Sequence, residues 1–146
     1  MTHTIVAPSQ TVLDPTGCGH PHLTPAGAAW TLPNSLLGLA FAFLSWTKPS
    51  PMAGLLVARS NKGLARLFLT QRGFGAITFG RVVISAIPLT PELLMHEGHH
   101  AWQYGRLGPL FLPVYLWHQA RGGYSANPLE REAAACAAAW QSAHSG

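Results

Sequence analysis

The chain reads as an α+β domain, mostly helical, with a small β-hairpin or sheet ahead of its central helix. Three observations carry this. Two short β-branched runs, Phe74–Phe79 and Val82–Ile87, are separated by Gly80-Arg81, which suits a tight hairpin turn. A helix start of high quality follows at Thr90-Pro91-Glu92, with cap, first-turn proline and early acid in order. The last third, opened by Asn127-Pro128-Leu129-Glu130, runs into an alanine stretch over 133–139 that favours helix.

Taken from the N-terminus, residues 1–33 are rich in Pro, Gly, Thr and His and read as a flexible arm. Residues 34–146 form a single domain, a length sufficient to bury a core. Asn34 or Ser35 can cap a helix to about Trp46, which Lys48-Pro49-Ser50-Pro51 ends. Its run from Leu36 to Trp46 carries no charge and falls short of the ~17–25 apolar residues of a bilayer span. It is expected to bury itself against the reverse face, Leu94, Ala101 and Trp102, of the helix that starts at Thr90, or to rest on a lipid interface. Residues 52–72 set Arg59, Lys62, Arg66 and Arg72 among leucines and suggest an amphipathic helix, or two short ones, with a solvated basic face.

Beyond the hairpin, the helix from Thr90 should run to about Tyr104 and stop at Gly105. At 100° per residue, Leu93, His96, Glu97, His100 and Tyr104 share one face. Leu94, Met95, Gly98, Ala101 and Trp102 form an apolar reverse face, and His99 points away from His96 and His100. Pro109 to about His118 forms a further helix, strained or interrupted at Pro113. The last helix extends from Asn127 to about Gln141.

Composition narrows the function classes. Hydrophobic residues make up 48% and charged residues only 10%, against roughly 25% in ordinary soluble domains. The surface is therefore poor in charge or partly covered by a partner or membrane. The net charge of +4 comes from few, dispersed basic residues, so a nucleic-acid partner is not expected. Met1–Thr16 has no basic residue and no continuous apolar core, so it is not a secretory signal. A cytoplasmic protein is expected, with peripheral membrane association left open. In that setting Cys18 and Cys136 are expected to be free thiols, Cys136 as a small core residue of the last helix. Cys18-Gly19-His20-Pro21-His22 holds several metal-ligand types but reads as loop. No phosphate-binding glycine loop, no G-x-S-x-G and no zinc-ribbon spacing occurs.

The chemistry sits in His96-Glu97-Gly98-His99-His100, an H-E-x-x-H on a helix. Histidines four residues apart lie one turn apart on one face, so both rings can reach one metal ion. Glu97 lies on nearly the same side, where a carboxylate can take a proton from water. A catalytic Zn2+ takes three protein ligands. The third must come from elsewhere, because Trp102–Arg106 contain no histidine; the acids downstream are Glu130 and Glu132. Glu130 also stands at the N3 position of a capping box begun by Asn127, a role that requires no metal.

His96-Glu97-x-x-His100, Gln103-Tyr104, Gly108-Pro109-Leu110, Tyr115 and Asn127-Pro128-Leu129-Glu130 together resemble small bacterial proteins of minimal gluzincin type. Glu130-Arg131-Glu132-Ala133-Ala134 resembles the third-ligand helix E-x-x-A-D of gluzincin metallopeptidases. The resemblance covers roughly residues 74–140. It implies a zincin-like fold, His96, His100 and Glu130 as zinc ligands, and Glu97 as the base. It also implies that the hairpin 74–87 offers an edge to an extended peptide. The implied function is a zinc metallopeptidase in which a zinc-bound water, activated by Glu97, attacks a peptide carbonyl of a peptide or protein substrate. The sequence departs from the family at Ala134, where an aspartate commonly holds a ligand histidine; a catalytically silent zinc-binding module for membrane or protein interaction is the alternative. Tyr104, Tyr115, His118 and Tyr124 are candidates for stabilising the oxyanion.

Overall fold

The computed structural model describes residues 25–52 and 54–144. They form a mixed α+β fold: five helices and a four-stranded sheet of order β1-β2-β4-β3. Helix α1 (Pro25–Phe43) is followed by β1 (Ser50–Met52), β2 (Leu55–Arg59), α2 (Gly63–Ala65), β3 (Ala76–Phe79) and β4 (Val82–Ser85). Then come α3 (Pro91–Leu107), α4 (Phe111–Gly122) and α5 (Pro128–His144).

The hairpin expected at Gly80-Arg81 is present. β3 and β4 pair antiparallel with Phe79 opposite Val82, and Gly80 takes the positive φ of 60° that the turn requires. The stretch expected to be an amphipathic helix from 52 is corrected. β1 and β2 form a second hairpin, and β2 joins β4 in parallel, with Val57 opposite Val83. Only Gly63–Thr70 is helical there, α2 widening into π-type turns over Arg66–Thr70. β3 therefore lies at an edge of the sheet.

Helix α1 also starts earlier than the expected cap at Asn34 or Ser35. It begins at Pro25 and carries Pro33 inside it, where the ring projects from the exposed side. The helix lies close on the sheet at Gly38, where a Cβ would come within 2.7 Å of the Val82 side chain. Phe41 and Ala42 join Phe79, Val82 and Ile84 in one core cluster. The reverse face of α3 does not receive this run: Leu94 and Ala101 pack with Leu55 and Val83 in a separate cluster. Among the described residues no helix is long and apolar enough to cross a membrane.

Helix α3 begins as expected, with the Thr90 hydroxyl accepting from the Leu93 N–H at 3.1 Å. Its stop is Gly108 (φ 54°), not Gly105, which continues the helix. Pro113 does not interrupt α4; it falls in the first turn, where its missing N–H leaves no bond unmade. Asn127 caps α5, accepting from the Leu129 N–H at 3.1 Å. Cys136 is buried on α5, as expected of a small core residue, but it is disulfide-bonded rather than free. The expectation of free thiols rested on a cytoplasmic setting, which does not decide whether two cysteines meet in space. Cys18, with the rest of the Cys18–His22 cluster, lies outside the described residues.

Candidate metal centre

Helix α3 supplies two rings and helix α5 a carboxylate. α3 and α5 make the most extensive helix–helix contact of the fold, and this contact sets Glu130 opposite the His96–His100 face. His96 Nε2 is 3.1 Å from Glu130 Oε2, and His100 Nε2 is 3.3 Å from the same oxygen. One ligand atom from each of the three residues lies within 4.8 Å of the other two. Ligands about 2.0 Å from a tetrahedral ion are separated by about 3.3 Å. The His–Glu separations already match such an edge, and two imidazoles with one carboxylate suit zinc.

Of the two acids left open by the sequence, Glu130 is in this cluster and Glu132 is not. Glu132 is half exposed and faces His99, whose Nε2 is 3.2 Å from Glu132 Oε1. His99 stacks on Trp102 at 5.1 Å between ring centroids, away from the cluster as the helical wheel requires. Glu130 does not act as a capping-box acid: the Asn127 N–H donates to the Tyr124 carbonyl at 3.2 Å, leaving the carboxylate to the histidines and to Tyr115.

The electrostatics follow from this convergence. Burial opposes charge on Glu130, yet hydrogen bonds from His100 and His96 outweigh it and hold the carboxyl well below the usual range. For His100, burial favours the neutral ring, but Glu130 and Glu97 prevail and raise its pKa. These are cationic demands placed by carboxylates on a small space, and a metal ion answers them as a proton does.

Glu97 is buried beside the cluster, and Thr78 of the edge strand donates to its Oε2 at 2.5 Å. That bond leaves Oε1 for other partners. The Tyr104 hydroxyl donates to the Thr78 carbonyl at 3.0 Å, and its ring stacks on Phe111. Tyr104 is thus committed to fastening β3 to α3. Tyr115 donates to Glu130 Oε1 at 2.6 Å and so orients the carboxylate. His118 is not among the residues lining the cleft. Tyr124 lines the cleft and remains exposed; burial, then the Glu130 carboxylate, push its phenol pKa up. Its hydroxyl also bonds to Glu130, and of the four candidates Tyr124 is the one that is both exposed and in the cleft lining.

The cleft measures about 200 Å³. Its floor is His96, Glu97, His100 and Glu130; β3 forms one wall, and Phe68, Phe74, Phe111 and Leu112 give it an apolar lining. Three residues here were given no role by the sequence reading. Thr78 gave no signal, since its role depends on the pairing of β3 with α3. Gln103, three residues after His100 on the same face, offers its Oε1 to His100 Nδ1 at 2.8 Å; the i, i+3 spacing was the available clue. Gln119 Oε1 is buried in the cleft wall without a hydrogen-bond partner.

No protein-family model, no curated protein and no solved structure matches the chain.

Proposed function

We propose that the protein is a zinc-dependent peptidase of minimal gluzincin type, with a zincin-like fold. The observation that carries this reading is the convergence of His96, His100 and Glu130 at the floor of a cleft walled by an edge strand, with Glu97 alongside. Zn2+ held by these three residues would supply an acidified water and a polarised carbonyl. Glu97 takes the proton at its carboxylate and later delivers it to the leaving amine. Thr78 holds that carboxylate in place through Oε2. Tyr115 orients Glu130 through Oε1, so that Oε2 stays turned toward the histidines. Tyr124 donates to the developing oxyanion. The outer edge of β3 pairs with an extended peptide, whose apolar side chains enter the aromatic lining.

Metal analysis of purified wild type, His96→Ala and His100→Ala, combined with hydrolysis of a mixed peptide library, tests the reading. About one zinc per chain is expected in wild type, with tight binding lost in either variant. Cleavage should stop on chelation and in Glu97→Gln. Equal zinc in all three proteins would overturn the metal centre. Zinc without cleavage by any form would instead select the catalytically silent module.

A further inference from the structure

Helix α1 has its polarity inverted. Facing the fold are Thr31, Asn34, Gly38, Ala42 and Ser45, small or polar and all spaced three or four apart, with Phe41 as the one large apolar residue among them. They are well used: Asn34 Nδ2 donates to the Gly108 carbonyl at 2.9 Å, and Ser45 Oγ accepts from the Ala65 N–H at 2.9 Å. Facing outward are Leu32, Leu36, Leu37, Leu39, Phe43 and Leu44. A helix lying on a water-exposed surface shows the opposite arrangement. The turn that follows continues the pattern. Trp46 is 82% exposed and Phe43 78%. Trp46 moreover adopts a left-handed φ of 57°, a conformation that a bulky residue rarely tolerates.

The charges around this face have one sign. No acidic residue occurs between Asp14 and Glu92. The segment Lys62–Ala65 folds against the end of α1, with the Leu64 N–H donating to the Leu44 carbonyl at 3.2 Å. Exposed Lys48, Lys62 and Arg66 are thereby set around the C-terminal end of the apolar face. Cations at a helix C-terminus are ordinary compensation for its dipole. That compensation does not explain why the leucines point outward. An apolar strip bordered by cations and lacking acids matches a bilayer surface containing anionic lipid. A second copy of this face would bring the same cations with no acid to pair them.

We infer that the outer face of α1, with Trp46 and the cations Lys48, Lys62 and Arg66, lies in the plane of an anionic membrane surface. This is independent of any activity in the cleft. The test is flotation of the full chain with phosphatidylcholine vesicles, with and without phosphatidylglycerol, alongside measurement of its mass in solution. Wild type should float with anionic vesicles far more than with neutral ones. Binding should weaken about fivefold for each of Lys48→Gln, Lys62→Gln and Arg66→Gln. Phe43→Ser with Trp46→Ser should abolish it. All these side chains are exposed, and unchanged circular dichroism would verify that the variants fold. Flotation indifferent to lipid charge would overturn the inference. So would failure to float, whether the protein is monomeric or a dimer that Phe43→Ser dissociates.

Discussion

Gln103 Oε1 lies 2.8 Å from His100 Nδ1, and the rest of the Gln103 amide is tied so that only its oxygen can face the ring. The amide nitrogen donates to the Leu129 carbonyl and to Glu132 Oε2, both at 3.1 Å. An accepting oxygen at Nδ1 makes Nδ1 the protonated nitrogen, and the lone pair of Nε2 then faces Glu130 and the proposed ion. Gln103 thus sets the His100 tautomer that the proposed ion requires.

Gln103→Leu should therefore weaken zinc binding about 10–100-fold, the usual worth of a group that orients a ligand. Gln103→Glu combined with Glu132→Gln exchanges the two polar ends and keeps an acceptor at His100. Calorimetric titration should show affinity largely restored in the double variant. An unaltered affinity in Gln103→Leu would mean that the bond does not serve the metal.

Ala134 lines a second pocket that shares His96 and Glu97 with the cleft, one turn along α5 from Glu130. Ala134→Asp should bring a carboxylate toward the His96 ring and raise zinc affinity by about tenfold. Affinity equal to that of wild type would show that His96 has no need of the missing acid.

What the sequence made legible were the features set by neighbours along the chain. The Thr90 and Asn127 caps, the Gly80-Arg81 turn and the His96–His100 spacing each depend on a few consecutive residues. β2 was not legible, because Leu55–Arg59 is committed to a strand by its parallel partner β4, which is distant in sequence. Asn34 or Ser35 read as the cap of α1, yet Asn34 is buried within it and spends its side chain on the Gly108 carbonyl. Whether the Glu130 carboxylate turns to its own helix end or to α3 depends on how α3 packs on α5. The roles of Thr78 and Gln103 depend in the same way on tertiary pairing.

Because the Glu130 carboxylate takes no part in capping, Glu130→Gln should leave the helical circular dichroism unchanged while weakening zinc binding at least about tenfold. Asn127→Ala should do the reverse. Its buried side chain accepts from the Leu129 N–H and donates to the Tyr115 carbonyl, so its loss should cost about 1–3 kcal/mol in denaturant unfolding of the metal-free protein. A large fall in stability from Glu130→Gln in the absence of metal would return the residue to a structural role.

Metal removal should itself destabilise the fold, since the three proposed ligands join α3 to α5. At a free zinc concentration about a hundredfold above Kd, linkage gives about 2.7 kcal/mol, or several degrees in Tm. A thermal scan with and without chelator measures it, and the shift should vanish in His96→Ala. A shift of equal size in that variant would place the zinc elsewhere.

The last prediction concerns the side chain of Thr78, which is no proposed ligand of the ion but donates to Glu97 Oε2 at 2.5 Å. A hydrogen bond to a charged group contributes about 1.5–3 kcal/mol, so a base left to rotate should react roughly 10–100-fold more slowly. Thr78→Val keeps the shape of the strand and removes the donor. It should lower kcat by that factor, with KM and zinc content near wild type, because neither the cleft wall nor the ligands change. Thr78→Ser restores the hydroxyl and should recover most of the rate. The two substitutions separate positioning from packing: the serine variant lacks the methyl group but keeps the bond. If Thr78→Ser is as slow as Thr78→Val, packing of β3 against α3 is the cause. If neither variant slows turnover, Glu97 is held by other contacts and Thr78 has no part in its orientation.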